Sequence, residues 1–222
     1  MMSRSSPNHS PRPAGTAIDM LVLHYTGMPT AAAALDRLCD SAAEVSAHYL
    51  IDEDGAVYAL VDEDRRAWHA GVSFWRGHRD INSRSIGIEM VNPGHEFGYR
   101  PFPGAQMAAL DGLATAILSR HPIPPRNVVG HADIAPRRKE DPGELFDWAW
   151  LAGRGIGLWP AAGLAGEETE AAAMLAAWGY ETDDPQATLR AFQRHFRPSR
   201  CDGLADPETV GLLAALLAMK TD

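Results

Sequence analysis

Apolar residues along this chain fall into short β-branched runs separated by longer stripes of helical period. Runs at residues 19–24, 46–51, 56–61, 85–91 and 127–131 have the length and side-chain shape of strands. Asp52-Glu53-Asp54-Gly55 reads as a hairpin turn between the second and third of them. Residues 30–40 are rich in Ala and Leu, and residues 104–120 place Met107, Leu110, Ala114, Ile117 and Leu118 at helical spacing. Pro122, Pro124 and Pro125 then end that helix, because proline lacks the amide hydrogen a helix interior needs. In the run from Ser85 to Glu89 the period of two sets Glu89 on the face opposite Ile86 and Ile88. Alternation of the two periods predicts the α/β class: a mixed β-sheet flanked by helices.

Beyond Trp159-Pro160 the text changes. Residues 161–166 are Ala-Ala-Gly-Leu-Ala-Gly, a small-residue linker. Residues 167–179, 185–196 and 206–219 read as three helices, the last opened by Asp206 as N-cap with Pro207 at the first helical position. The expected organisation is a polar, Pro-rich arm over 1–17, an α/β domain over 18–160, the linker 161–166, and a small three-helix domain over 167–222 with an apolar core of its own.

Composition narrows the function classes. With 222 residues, 45% of them hydrophobic, the chain can bury one good core and a smaller second one. A net charge of −9 argues against nucleic acid as a partner, since phosphate binding relies on clustered Lys and Arg. No apolar stretch approaches the roughly 18 residues of a membrane span. Residues 1–13 lack the apolar core of about 7–15 residues of a secretory signal, so the expectation from the text is a cytoplasmic protein. Cys39 and Cys201 form no Cys-x-x-Cys pair and are expected to be reduced thiols. Oligomeric state has no signature here.

Candidate chemistry lies in two places. His24 ends an apolar strand, His131 follows Asn127-Val128-Val129-Gly130, and Asp141 sits in a Pro-bounded loop ten residues on. Two imidazoles and a carboxylate can hold Zn²⁺ and leave a fourth position open for water, whose pKa falls to roughly 7. Spacing alone does not distinguish this from strand histidines that simply pack. Glu89 could serve a nearby metal site as proton carrier or be an exposed strand carboxylate. Lys139 could steady an oxyanion or belong to a solvated basic loop with Arg137 and Arg138. His48 reads as structural. His-Glu-x-x-His, Gly-x-Ser-x-Gly and a phosphate-cradling Gly-rich loop do not occur.

Five stretches in order resemble the zinc N-acetylmuramoyl-L-alanine amidases, a family that includes phage lysozyme-type amidases and peptidoglycan recognition proteins. They are His24-Tyr25-Thr26, Val45 to Ile51, Trp68-His69-Ala70-Gly71, Ser85 to Asn92, and His131 to Gly143. The resemblance implies that His24, His131 and Asp141 bind zinc, that Glu89 is the acid/base, and that Lys139 stabilises the oxyanion. It also suggests His69, and the position of Asn92 suggests that residue, as substrate contacts. Leu189 to Arg194 and Asp202 to Thr209 resemble the three-helix peptidoglycan-binding domain. The implied activity is hydrolysis of the amide between N-acetylmuramic acid and L-alanine, in peptidoglycan or soluble muropeptides. A recognition module without turnover and a zinc peptidase acting on the stem peptide are the alternatives. All three ligand positions are filled, whereas recognition modules typically lose one.

Overall fold

The computed structural model describes residues 1–160 and 170–219. Its strands are β1 (Met2–Ser3), β2 (His9–Pro11), β3 (Met20–Tyr25), β4 (Tyr49–Ile51), β5 (Val57–Ala59), β6 (Arg65–Ala67), β7 (Ser85–Met90) and β8 (Val128–Gly130). Helices are α1 (Ala31–Cys39), α2 (Ile81–Arg84), α3 (Gly94–Phe97), α4 (Gly104–Arg120), α5 (His131–Ile134), α6 (Trp148–Ala152), α7 (Ala171–Trp178), α8 (Pro185–Phe196) and α9 (Pro207–Ala218). Six strands make one mixed sheet in the order β1-β5-β4-β7-β3-β8, and β2 pairs with β6 beside it. β4, β7, β3 and β8 run parallel, while β4 and β5 form the antiparallel hairpin expected at Asp52–Gly55. The expected mixed α/β architecture is therefore the observed one.

Strand β3 is apolar on both faces because it is covered on both. Leu21 and Leu23 join Ile86, Ile88 and Met90 under α4, in a core completed by Leu110, Ala114 and Ile117. Met20 and Val22 face the other way. There they share a second core with Trp75, Val129 and Ile134, and with Leu175, Trp178, Tyr180, Phe192, Phe196 and Leu213 from the C-terminal helices. The separate core expected for residues 167–219 is thus not what the packing shows: the apolar faces of α7, α8 and α9 close on the sheet face that carries Met20, Val22 and Val129. The 161–166 linker and the first three residues of the 167–179 helix lie outside the described residues. Within them, the Asp206 N-cap is as expected, its carboxylate accepting from the Thr209 amide.

The N-terminal arm is also not a tail. β1 extends the main sheet alongside β5, and Ser6 and Asn8 are buried. Arg12 threads its guanidinium inward to donate to the carbonyls of Glu63, Asn82, Ser83 and Ser85. These contacts run through backbone carbonyls, which leave no trace in a hydropathy pattern. No helix among the described residues is long and apolar enough to cross a membrane.

Candidate active site

In-register pairing of β3 with β7 sets His24 directly across from Glu89. Both belong to the face of the sheet opposite Leu23 and Ile88, and both lie near the carboxyl ends of parallel strands, where crevices open in α/β sheets. β8 delivers His131 to the same end, as the first residue of α5. The loop beyond returns so that the Ala132 amide donates to the Asp141 carbonyl at 2.8 Å, tying the backbones of two candidate ligands together.

Three donor atoms converge there. His24 Nδ1 lies 2.9 Å from His131 Nδ1, and each of these nitrogens lies 3.1 Å from Asp141 Oδ2. Ligands about 2.0–2.1 Å from a tetrahedral zinc stand roughly 3.3 Å apart, so this spacing is close to that of a bound set. The ring tautomers agree. His131 Nε2 donates to the Ala70 carbonyl at 3.1 Å, leaving Nδ1 with a bare lone pair. His24 Nε2 contacts His69 Nδ1 at 3.1 Å, His69 Nε2 contacts Ser85 Oγ at 3.0 Å, and Ser85 Oγ donates to the Ile81 carbonyl at 2.7 Å. Read from His24 outward, each group in this chain donates to the next, and His24 Nδ1 is freed for a cation. Two lone pairs and a carboxylate oxygen, buried and facing one another, fit a metal ion.

Electrostatics follow the burial. Burial, reinforced by the charge of His131, lowers the His24 imidazole to about 4. For Asp141 burial works in the opposite sense, but the charge and hydrogen bonds of His131 and His24 outweigh it and hold the carboxyl far below its ordinary range. Burial and then the charge of Asp141 push the Glu89 carboxyl well above its ordinary range, with Lys139 opposing. Glu89 Oε2 is enclosed and without a hydrogen-bond partner among the described residues. The ammonium of the half-buried Lys139 makes no hydrogen bond or ion pair among the described residues, and the residue lines the same cavity as Glu89 and the three candidate ligands. That cavity measures about 650 Å³ and extends past Tyr25 and His95 on one side and Arg37 and Trp68 on another.

One expected substrate contact needs correction, and a second has a further task. Asn92 is fully buried; its amide donates to the Arg100 carbonyl and its carbonyl accepts from the Gly94 amide, so it shapes the loop after β7 and does not reach the cavity. His69 lines the cavity but is only 8% exposed, with both ring nitrogens engaged by His24 and Ser85. It backs the candidate ligand His24, in a slot that exists because residue 87 is glycine: a Cβ there would fall 2.5 Å from His69 Cγ. His48 is structural, accepting from the Gly87 amide at 2.9 Å. Tyr25 went unassigned in the sequence although it adjoins His24; its hydroxyl contacts His95 Nδ1 at 2.9 Å on the cavity wall.

Residues 14–144 match the family profile described as N-acetylmuramoyl-L-alanine amidase. N-acetylmuramoyl-L-alanine amidase AmiD of Escherichia coli is 40% identical over 230 residues, covering 90% of this chain and 82% of AmiD. The structure of AmiD in complex with the substrate anhydro-N-acetylmuramic acid-L-Ala-D-gamma-Glu-L-Lys superposes with a TM-score of 0.82 at 38% identity, covering 93% of this chain and 91% of that one. AmpDh3 of Pseudomonas aeruginosa in complex with anhydromuramic pentapeptide gives 0.82 at 36% identity, with 93% of each chain covered.

Proposed function

The chain belongs to the N-acetylmuramoyl-L-alanine amidase family, and on that premise we propose that His24, His131 and Asp141 hold zinc while Glu89 and Lys139 act on the scissile amide. The protein is an N-acetylmuramoyl-L-alanine amidase, hydrolysing the bond between N-acetylmuramic acid and L-alanine in muropeptides. The observation that carries the assignment of roles is the register: a buried carboxylate oxygen with no partner among the described residues beside a convergent set of three candidate ligands.

Held by His24, His131 and Asp141, zinc would supply Lewis acidity toward a water and the scissile carbonyl. Glu89 handles the protons. Raised by its enclosure, its carboxylate is basic enough to take a proton from water and, once protonated, acidic enough to pass it to the amide nitrogen as the C–N bond breaks. Lys139 brings an ammonium uncommitted to any described residue toward the negative charge that develops on the carbonyl oxygen. His69 and the Ala70 carbonyl hold the two imidazoles in the tautomer that presents Nδ1. A cavity of about 650 Å³ is of the size that takes a muramyl unit with the first stem residues.

Incubating zinc-loaded and chelator-treated protein with soluble muropeptides, with products resolved by mass spectrometry, tests this reading. An intact stem peptide bearing a free L-alanine amine is expected from the loaded protein alone. Cleavage within the stem peptide would identify a peptidase, and binding without product would identify a recognition module.

A further inference from the structure

One carboxylate next to the site is held by the far end of the chain. Asp133, two residues past His131, is 2% exposed and accepts three hydrogen bonds. The Gly130 amide donates to Oδ2 at 2.7 Å, the Tyr180 hydroxyl to Oδ1 at 2.5 Å, and the His195 Nδ1–H to Oδ2 at 2.7 Å. The first closes the turn that carries His131. The other two come from the segment after α7 and from α8. Both donors are themselves fixed. The Tyr180 ring meets Trp75 edge-on at 5.1 Å, and the His195 ring is stacked between Trp148 at 3.8 Å and Phe196 at 3.9 Å.

The same turn is confined from its other side. A Cβ on Gly130 would fall 2.6 Å from Pro142 Cδ and 3.3 Å from the Trp148 ring, so the backbone ahead of His131 lies directly against the residue following Asp141. Backbone geometry at His131 is thus set between two clamps. Pro142 and Trp148 press on Gly130, while Asp133 is pinned by Tyr180 and His195. A turn of four residues has little rigidity of its own, and a ligand displaced by a fraction of an ångström binds metal less tightly.

We propose that Tyr180 and His195 are positioning residues for the metal centre: through Asp133 they fix the turn that presents His131, making the C-terminal helices part of the site's support. The inference rests on the reading of His24, His131 and Asp141 as ligands. It assigns to the C-terminal helices a task in the hydrolytic half that does not depend on their contacting the wall.

Zinc affinity of the apo full-length protein, measured by competition with a chromophoric chelator, is compared with the visible spectrum of the Co²⁺-loaded form and the melting temperature of the apo form. Tyr180→Phe removes one hydroxyl and keeps the ring; His195→Gln offers a second variant should the first fold poorly. Leu213→Ala in α9 weakens the same shared core without touching Asp133. Tyr180→Phe and His195→Gln should each lower zinc affinity roughly tenfold or more, the scale of lost outer-shell support, and should shift the Co²⁺ bands. Leu213→Ala should lower the apo melting temperature while leaving affinity and spectrum as in the wild type. The proposal is overturned if Tyr180→Phe and His195→Gln bind zinc like wild type, or if affinity merely tracks melting temperature across all three. His131→Ala is the reference: zinc retained there would remove the ligand assignment itself, a separate result.

Discussion

Replacing Glu89 by Gln keeps the shape of the side chain and deletes its ability to carry a proton. The carboxylate is not a ligand in the three-atom cluster, so zinc content should stay at the wild-type level. Loss of a positioned proton carrier slows turnover by roughly 10² to 10⁴, or about 2.7–5.5 kcal/mol of barrier. The structure argues for the upper part of that range, because Oε2 is enclosed and water cannot easily replace it. pH sharpens the test. In the metal-free protein, burial with the charge of Asp141 displaces the ionisation of Glu89 above the ordinary carboxylate range. Lys139 opposes the displacement, so Lys139→Met should move that ionisation to still higher pH in the apo protein while lowering kcat of the zinc-loaded one. Stability follows the same sign. A carboxyl raised in the folded state loses stability as pH rises through its folded value, so the apo Gln variant should gain on wild type as pH increases. Soluble muropeptide hydrolysis across pH, with zinc content and apo melting curves, provides the readout. A kcat within about threefold of wild type, far short of the expected range, would refute the role of Glu89.

Asp141→Ala should leave two imidazoles and lose zinc on dialysis; stoichiometric zinc with full activity would remove Asp141 from the ligand set. Gly87→Ala drives a methyl to 2.5 Å from the His69 ring, and an expected destabilisation of about 1–3 kcal/mol should come with weaker zinc retention, since His69 backs His24; unchanged thermal melting and zinc content would show that the ring moves aside freely. Burial alone would raise the Glu63 carboxyl, but hydrogen bonds from Arg120, Tyr49 and His121 hold it at about 2, so its stability contribution is present above pH 4.5 and lost as pH falls through that value. Glu63→Gln should therefore flatten acid unfolding between pH 4.5 and 2, by an amount of order 2–3 kcal/mol, and an unaltered acid titration would dismiss the cluster. A chain ending at Pro160 should melt far lower or aggregate, because uncovering Trp75, Val129 and Trp148 costs about 1.5–3 kcal/mol for each side chain fully exposed, against a total stability of roughly 5–15; a truncated protein with full-length melting temperature and zinc content would show that the sheet does not need those helices.

The parts of this fold that could be read from the text are those whose side chains carry the periodicity. β3, β7 and α4 are long, apolar and doubly or singly covered, and their boundaries fall within a residue or two of expectation. β1, β2 and β6 are two or three residues long and mostly polar, and their pairing is written in backbone groups that every sequence possesses. Arg12 is illegible for the same reason, since its acceptors are carbonyls. In the site, His24, His131, Asp141, Glu89 and Lys139 were named by motif, and all five line one cavity. His69 lines it too, while Asn92 stands in an equally recognisable stretch and does not, because whether a polar side chain faces a cavity or a neighbour is decided by tertiary packing. The helical period of residues 185–196 and 206–219 likewise shows that each helix has an apolar face, not which partner covers it.

Burial of so many polar groups around the cavity is tolerable only because nearly every one is bonded, as an unmade hydrogen bond in such a place costs about 1–3 kcal/mol. Ser85 completes His69, His69 completes His24, the Ala70 carbonyl completes His131, and Gly130, Tyr180 and His195 complete Asp133. Following each chain inward ends at atoms that the described protein does not satisfy: the Nδ1 lone pairs facing Asp141, and Glu89 Oε2. Those are the atoms assigned here to metal and proton. Of the residues lining the cavity, Glu89 alone has a buried side-chain oxygen without a described partner. Gln106 Oε1 and His195 Nε2, also buried without a described partner, lie away from the cavity and apart from one another, whereas the Nδ1 lone pairs and Glu89 Oε2 meet at the carboxyl ends of parallel strands. A metal ion at the Nδ1 lone pairs and a water donating to Glu89 Oε2 would supply the missing partners, so that the cost of incomplete satisfaction in the free protein is relieved as the reaction complex forms.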